Sequence, residues 1–128
     1  MRLLIDTHLF LWAMSGDKQL TKKAEALMLS AETVFVSVAS IWEIVIKNGL
    51  GRDDFKVDAR VLRRNLLDAG FEELAIEATH ILEVAQLPSL HKDPFDRVLI
   101  GQAMAEGIVL LTHDHLIKQY DLAPIRFV

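Results

Sequence analysis

The sequence of 128 residues contains no cysteine. This absence excludes disulfide bonds, cysteine-ligated zinc and thiol catalysis. Long hydrophobic runs are also lacking: none reaches the roughly 18 residues of a membrane-spanning helix, and no charged segment precedes an apolar one as in a signal peptide. We therefore expect a cytoplasmic protein that does not enter a membrane.

The chain also lacks an excess of positive charge. Its 14 Lys and Arg residues stand against 18 Asp and Glu residues, a formal net charge of −4. Proteins that hold nucleic acid by overall charge carry the opposite sign, so any such contact here depends on local basic patches or on a bound metal. Hydrophobic residues make up 52% of the chain, which is typical of a folded domain. We predict a single domain over residues 1–128.

Strand and helix patterns alternate along the chain. Short apolar or β-branched runs predict five strands, at 2–6, 33–37, 71–76, 108–111 and 124–128, the third being an exposed or edge strand. Helical spacing and capping residues predict helices at 8–14, 22–31, 40–48, 58–69, 77–86, 94–107 and 114–120, with a loop at 50–57. This alternation favours right-handed crossovers and a mainly parallel, roughly five-stranded sheet. The predicted fold is a three-layer α/β/α sandwich.

Five carboxylates fall where this fold brings distant segments together. In a parallel sheet the strands end at one edge, called here the carboxyl edge, and the following helices begin there. Asp6 ends the first strand, and Glu43 lies one turn into the helix after the second strand. Asp93 and Asp96 open the helix before the fourth strand, and Asp114 follows that strand. We therefore expect all five at the carboxyl edge.

Each of these acids also has a local structural interpretation. Asp93 and Asp114 fit helix N-caps, Ser40 and Glu43 fit a capping box, and Glu43 lies four residues before Lys47. Capping explains single acids, but several carboxylates within about 4–6 Å repel one another and raise one another's pKa values. A divalent cation relieves this repulsion, and all-oxygen sites suit Mg²⁺ or Mn²⁺. Such a site can activate water and stabilise charge on a phosphate ester.

Four segments, in this order and at these separations, resemble the motifs of the PIN-domain family: "LLIDTH", "SVASIWEI", "DPFDRVLIGQA" and "LLTHD". Within that family the sequence is most similar to the VapC-type toxin ribonucleases of bacterial toxin–antitoxin pairs. The resemblance covers nearly the whole chain and implies a small α/β/α nuclease that cuts RNA at an acidic Mg²⁺ or Mn²⁺ site. It also implies a VapB-type antitoxin that covers the site, and a homodimer.

The resemblance assigns four catalytic acids, which match the four acids of the family pattern: Asp6, Glu43, Asp96 and Asp114. As hypotheses, Asp6 and Asp96 bind the metal directly or through water, and Asp114 supports a ligand water or a second ion. Glu43 then positions or deprotonates the attacking water. The third assignment is ambiguous, because Asp93 is a second acid in the same motif. Asp96 is preferred because it directly precedes "RVLIGQA", where the family has its acid.

Other polar residues near the acids have both a functional and a structural interpretation. Arg97 either contacts the scissile phosphate or, as is more common beside acids, forms a salt bridge with them. Ser37 and Thr112 end strands, and they bind water or phosphate or else cap helices. Four histidines flank the acids without the H-x-x-x-H spacing of a zinc site, so we expect surface or hydrogen-bonding roles for His8, His91, His113 and His115.

Aromatic residues also lie near the acids in the sequence. Trp12 and Trp42 either stack on a base or fill core or a partner groove. Leu9, Phe10 and Trp12 crowd one short helix, which is compatible with a contact to another chain and with core packing.

Three other functions compete with the nuclease, and the complete set of acids argues against one of them, a binding module without catalytic activity. A small-substrate phosphatase usually has Asp-x-Asp at the end of the first strand, where this chain has Asp6, Thr7 and His8. A phospho-accepting regulatory domain with an acidic metal pocket needs an Asp at the end of a central strand, where the strand 33–37 has Ser37. The motifs therefore favour a metal-dependent endoribonuclease, the toxin of a type II toxin–antitoxin pair.

Overall fold

The computed structural model describes residues 1–51, 56–121 and 123–128, and five strands alternate with seven helices in these ranges. The elements are β1 (Arg2–Ile5), α1 (Thr7–Ser15), α2 (Lys22–Ser30), β2 (Thr33–Ser37), α3 (Val38–Gly49), α4 (Ala59–Asp68), β3 (Glu72–Leu74), α5 (Ala78–Val84), α6 (Pro94–Glu106), β4 (Val109–Thr112), α7 (His115–Lys118) and β5 (Ile125–Phe127). Residues 52–55, the centre of the loop predicted at 50–57, lie outside the described residues. No helix in the described ranges is long and apolar enough to cross a membrane.

The five strands form one parallel sheet in the order β3-β2-β1-β4-β5. β1 is central: Leu3 is in register with Val34 of β2 and with Val109 of β4. The chain moves outward from β1 through β2 to β3 and then crosses to β4 on the other side of β1. Ligands of open α/β sheets bind at the carboxyl ends of strands at such a reversal. The predicted fold class is confirmed, and β3 is an edge strand as expected.

Both faces of the central strand are buried. Leu3 and Ile5 belong to a core cluster that includes side chains of α1, α2, α3 and α4. Leu4 points to the opposite face and joins a second cluster with side chains of α3, α6 and α7. Burial on both faces explains why β1 is a continuous apolar run and does not alternate. The sheet is therefore the middle layer of three.

The helix termini show where capping chemistry predicts structure and where it does not. The Asp93 carboxylate caps α6 and accepts from the backbone N–H groups of Phe95 and Asp96 at 2.8 and 3.3 Å. The capping box predicted for Ser40 and Glu43 is wrong, because the N-cap of α3 is Ser37, whose Oγ accepts from Ala39 N–H at 3.0 Å. Helix α3 thus begins directly at the end of β2, and Ser40 lies within it.

Helices α5 and α6 approach each other closely at Gly101. A Cβ atom at this position would lie 2.5 Å from the carbonyl oxygen of His80 and 2.7 Å from Cγ2 of Val84. His80 is fully buried, and its Nδ1 accepts from Glu77 N–H, so Nε2 carries the proton and donates to Glu106 at 2.8 Å. This contact secures the C-terminal end of α6. The N-terminal end of α6, with Asp96, lies at the carboxyl edge.

Candidate metal centre

Asp6 is held between β1, α1 and β4. It follows β1 and caps α1, with Oδ1 accepting from Leu9 N–H at 2.9 Å. Its Oδ2 accepts from the Thr112 hydroxyl at 2.5 Å, and the side chain is almost completely buried. Burial raises the pKa of Asp6, while the hydrogen bonds from Thr112 and Leu9 oppose that rise. An ionised Asp6 in this environment needs compensating positive charge.

Thr112 connects Asp6 to Asp114. Its hydroxyl donates to Asp6 and accepts from the backbone N–H of Asp114 at 2.9 Å. Asp114 caps α7 through Oδ1, which accepts from Leu116 N–H at 2.7 Å. The charge of Asp114 is one of the contributions that raise the pKa of Asp6, so the two carboxylates are close enough to repel. Thr112 therefore organises the site and does not merely end a strand.

Asp96 lies in the first turn of α6, beside the cap formed by Asp93. Its Oδ2 accepts from Nε2 of His91 at 2.7 Å, and its side chain is only 13% exposed. Burial, followed by the charges of Asp93 and Glu43, raises the pKa of Asp96 to about 7, against the lowering effect of the His91 hydrogen bond. The hydrogen-bonding role expected for His91 is thus observed. The ordinary value for this carboxyl group is 3.8.

Glu43 is buried on α3, and one of its oxygens has no hydrogen-bond partner among the described residues. Its Oε2 pairs with Lys47 Nζ at 2.8 Å, the i, i+4 pair that the sequence indicates. Its Oε1 has no hydrogen bond among the described residues, and solvent cannot readily supply one because the residue is only 4% exposed. Burying an unsatisfied carboxylate oxygen costs roughly 1–3 kcal/mol or more. Because Glu43 also raises the pKa of Asp96, this oxygen belongs to the same acidic site.

The structure places the five acids at one edge of the sheet in two separate groups. Asp6 and Asp114 form one group, and Asp96 with Asp93 and Glu43 forms the other. Donor atoms of His91, Asp93 and Asp96 lie within 4.8 Å of one another, close enough to share an ion. The presence of Asp93 and Asp96 in one motif predicts this group of acids, but nothing in the sequence indicates that the His91 side chain turns toward Asp96.

A hard divalent cation fits this arrangement. The donors are mainly carboxylate oxygens, as Mg²⁺ and Mn²⁺ prefer, and the buried Glu43 oxygen lacks a partner among the described residues. Mg²⁺ typically binds one or two carboxylates and keeps several waters, so it does not require all the acids in direct contact. Burial is the main cause of the raised pKa values of Asp6 and Asp96, and repulsion from neighbouring acids adds to it, so a bound cation would favour the ionised form of both groups.

Arg97 has a different role from the one expected. Its guanidinium donates to the backbone carbonyls of Val84, Pro88 and His91 at 3.2–3.3 Å, and to the Tyr120 hydroxyl at 3.4 Å. The predicted salt bridge with the acids is wrong: no acid in the described part of the chain pairs with Arg97. Arg97 instead anchors the segment that carries His91, and so helps to orient the partner of Asp96.

The apolar residues near the acids divide between core and surface. Leu9 and Phe10 are buried in the core, which accounts for the crowding of α1 without a second chain. Trp42 is 56% exposed and makes an edge-to-face contact with Phe95, their ring centres 5.0 Å apart. Trp12 is half-buried next to His113.

A model of the PIN domain family matches residues 3–122, so the chain belongs to the PIN domain family. The match covers the segments that carry all five acids. The resemblance stated from the motifs is thereby confirmed. No curated protein sequence matches the chain.

Several solved structures share the fold over almost their whole length. VapBC2 from Rickettsia felis, bound to a DNA fragment from its promoter, has a TM-score of 0.72 at 16% identity, with 99% of this chain and 98% of that chain covered. DNA-bound VapBC from Salmonella typhimurium has a TM-score of 0.70 at 12% identity, covering 99% and 98%. FitAcB from Neisseria gonorrhoeae has a TM-score of 0.68 at 17% identity, covering 98% and 96%. At these identities the similarity concerns the fold.

Proposed function

We propose that the chain is a metal-dependent endoribonuclease, acting as a single domain, and the toxin of a type II toxin–antitoxin pair. The observation that carries the proposal is the buried Glu43 oxygen, which has no hydrogen-bond partner among the described residues and whose side chain shares an acidic site with Asp96 at the sheet reversal. A capping role explains Asp93 and Asp114, but it does not explain a buried carboxylate in the interior of α3. Membership in the PIN domain family supports a nuclease.

In this proposal Asp6, Asp96 and Asp114 hold Mg²⁺ or Mn²⁺, directly or through water. A bound ion of this kind activates water and stabilises the charge that develops on a phosphodiester. Thr112 and His91 orient Asp6 and Asp96 by hydrogen bonds to their Oδ2 atoms. Asp93 and Ser37 serve as helix caps that fix the ends of α6 and α3.

Glu43 is the proposed general base. Lys47 occupies Oε2 and leaves Oε1 able to accept a proton from the attacking water. The water oxygen forms a bond to phosphorus, the bond from phosphorus to the leaving oxygen breaks, and that oxygen takes a proton from solvent. No covalent bond between the protein and the phosphate forms.

A protein partner is part of the proposal. Four apolar residues of α3 and its C-cap are 41–61% exposed and share one helix face, here called the α3 stripe: Trp42, Val45, Ile46 and Leu50. Exposed apolar patches of this kind mark interaction sites in soluble proteins. The VapBC names of the similar structures support a VapB-type antitoxin as one partner, and a second copy of the chain is the other. A toxin that acts on cellular RNA works in the cytoplasm, where we place this chain.

The test is RNA cleavage by the purified chain with Mg²⁺, Mn²⁺ or EDTA, on single-stranded and structured RNAs. We expect cleavage to require the metal. We also expect Asp6→Asn and Glu43→Gln each to reduce the cleavage rate by at least about 100-fold. Asp68→Asn, an exposed acid at the end of α4, is the matched control and should cleave normally. If the RNA stays intact under all conditions and calorimetry detects no metal binding, the acids have structural roles only and the proposal is wrong.

A further inference from the structure

A row of rings lies beside Asp114, outside the group of acids. It consists of His8, Trp12, His113, His115 and Phe127, and is called here the ring platform. Neighbouring ring centres are 6.0 Å apart for His8 and Trp12, and 5.8 Å apart for Trp12 and His113. The row continues with His113 stacked on Phe127 at 5.3 Å and His115 tilted against Phe127 at 4.8 Å. Residues of α1, α7, β5 and the β4–α7 connection thus form one surface.

Two rings of the platform, His113 and Phe127, are held in place by the fold. The His113 ring donates from Nδ1 to the Val128 carbonyl, which can only accept, and Val128 N–H in turn bonds to Thr112. Phe127 lies in β5 and carries the Lys118 ammonium over its ring at 4.6 Å. These two rings are therefore held before any ligand arrives, which reduces the entropic cost of binding.

An open cavity of about 350 Å³ lies against this row. Its lining consists of His8, Trp12, His113, Asp114 and His115. Four of these five residues present rings, and the fifth is an acid that the proposed function assigns to metal binding. His8 is in the first turn of α1, the helix that Asp6 caps. A group seated on the rings is therefore next to the proposed cleavage site.

The chemistry of the lining favours a nucleobase as the occupant. Bases present flat π faces that stack on Trp, Phe and His rings, and such stacking tolerates different base identities. Aliphatic side chains, which suit a protein side chain, are absent from this lining and concentrated instead on the α3 stripe. With a net charge of −4, the chain also needs local contacts to hold RNA. The Lys118 ammonium group, held over the Phe127 ring, places positive charge beside the ring platform.

We propose that the ring platform is a stacking subsite for a nucleobase adjacent to the scissile phosphate, an inference that rests on the proposed ribonuclease function. Trp12 is the residue expected to contribute most, because it lines the cavity and joins the rings of His8 and His113. It acts in substrate binding and is not assigned a role in the chemical step. Base stacking of this strength corresponds to roughly 5- to 100-fold in affinity per base.

The test uses tryptophan fluorescence, because Trp12 and Trp42 are the only tryptophans in the sequence. In an Asp6→Asn, Trp42→Phe background the protein does not cut RNA in the proposed mechanism, and Trp12 is the sole reporter. We would titrate a short single-stranded RNA and an oligomer of the same ribose-phosphate backbone without bases. We expect the RNA to quench the fluorescence and to bind roughly 5- to 100-fold more tightly than the abasic oligomer.

The matched variants are Trp12→Leu and Trp12→Phe in a chain that is otherwise unchanged, assayed by RNA binding and cleavage. Leucine keeps apolar bulk and loses stacking, so KM should rise about 5- to 100-fold with little change in kcat, while phenylalanine should restore most of the loss. Equal binding of RNA and abasic oligomer would overturn the subsite, as would Trp12→Leu cleaving RNA like the parent. Quenching by apolar peptides and not by RNA would identify a protein-docking surface and would also overturn it. Base-dependent quenching without any RNA cleavage by the parent would preserve the subsite and reject the nuclease, so the two failures are distinguishable.

Discussion

The buried Asp96 carboxyl group lowers the stability of the metal-free fold at neutral pH. Burial first, and then repulsion from Asp93 and Glu43, raises its pKa from 3.8 to about 7. The folded protein therefore holds this proton more tightly than the unfolded chain does. Between about pH 4 and pH 7 the folded state binds more protons, so stability falls as pH rises through that range. A residue that destabilises the metal-free protein at neutral pH is typical of a functional site.

This linkage predicts that Asp96→Asn stabilises the metal-free protein at pH 8. Asparagine keeps an oxygen that can accept from His91 and carries no charge to bury. We expect a gain of roughly 1–3 kcal/mol at pH 8, smaller than the full pKa shift implies because the group is partly hydrated, and almost no gain at pH 4. Urea unfolding in EDTA at both pH values measures it. A loss of stability of equal size at both pH values would show that Asp96 has a structural role, and Asp68→Asn controls for general charge effects.

Asp93 and Asp96 lie three residues apart at the same end of α6, but their side chains make different contacts. Oδ1 of Asp93 accepts two backbone N–H groups of α6, whereas Asp96 meets a histidine and repels Glu43. Serine is as good an N-cap as aspartate and carries no charge. Position 93 therefore allows capping to be separated from metal binding.

We expect Asp93→Ser to retain stability and RNA cleavage, while Asp93→Ala loses about 1 kcal/mol of stability. Asp96→Asn should retain its fold and lose cleavage. The measurement pairs urea unfolding with the cleavage assay on all three variants. If Asp93→Ser were as inactive as Asp96→Asn, Asp93 would be a metal ligand, and the choice of Asp96 as the third acid would need revision.

At the scale of elements, the sequence predicts the architecture well and its contacts poorly. All twelve predicted helices and strands arise near their predicted positions, because apolar periodicity and caps such as Asp93 are local signals. The start of α3 differs because Ser37 both ends β2 and caps the helix, so no loop separates them. The bonds of Arg97 to carbonyls of the 84–91 segment depend on tertiary packing, which residue spacing does not encode.

The contact between α5 and α6 gives a prediction about stability. Gly101→Ala would place a methyl group 2.5 Å from a backbone oxygen of α5, which cannot move independently of its helix. We expect a loss of roughly 1–3 kcal/mol. Gly49→Ala, at the end of α3, would add a methyl group that meets no described residue beyond its own helix within 4 Å. This second change should be neutral or stabilising by up to about 1 kcal/mol.

Urea unfolding of both glycine variants distinguishes close packing from a general effect of helical glycine. Equal stability changes for Gly101→Ala and Gly49→Ala would contradict the close approach of α5 and α6. Because α6 carries Asp96 at its other end, we also expect Gly101→Ala to weaken metal binding, which calorimetry can follow.

At the scale of the whole molecule, topology explains why the sequence predicts these acids at one edge of the sheet. Each acid is ambiguous alone, but the parallel sheet brings the ends of β1, β2 and β4 and the start of α6 to one edge, and the chain order of the motifs follows from that fold. The pairing of Asp6 with Thr112 and of Asp96 with His91 is a matter of side-chain orientation. These two hydrogen bonds could be identified only from the structure.

The α3 stripe gives the last prediction, on self-association. Its four residues lie on one helix face beside the site but make no proposed contact with metal or RNA, so assembly and catalysis should be separable. We expect the parent chain to be a dimer by light scattering and Val45→Glu with Ile46→Glu to be a monomer, because each charge would be buried at the interface without a partner. RNA cleavage per chain should stay within about threefold, since neither substitution removes Glu43 or its partner Lys47.

Leu29→Glu is the matched control, because Leu29 is an isolated apolar residue of α2 that is 85% exposed. It introduces the same charge on another helix and should leave the dimer intact. If the parent chain is monomeric at high concentration, self-association is contradicted, and the antitoxin remains as the proposed partner of the α3 stripe. A dimer that survives the double substitution would place the interface on another surface. Monomerisation with cleavage retained would show that each chain holds a complete site, so that the α3 stripe serves assembly alone.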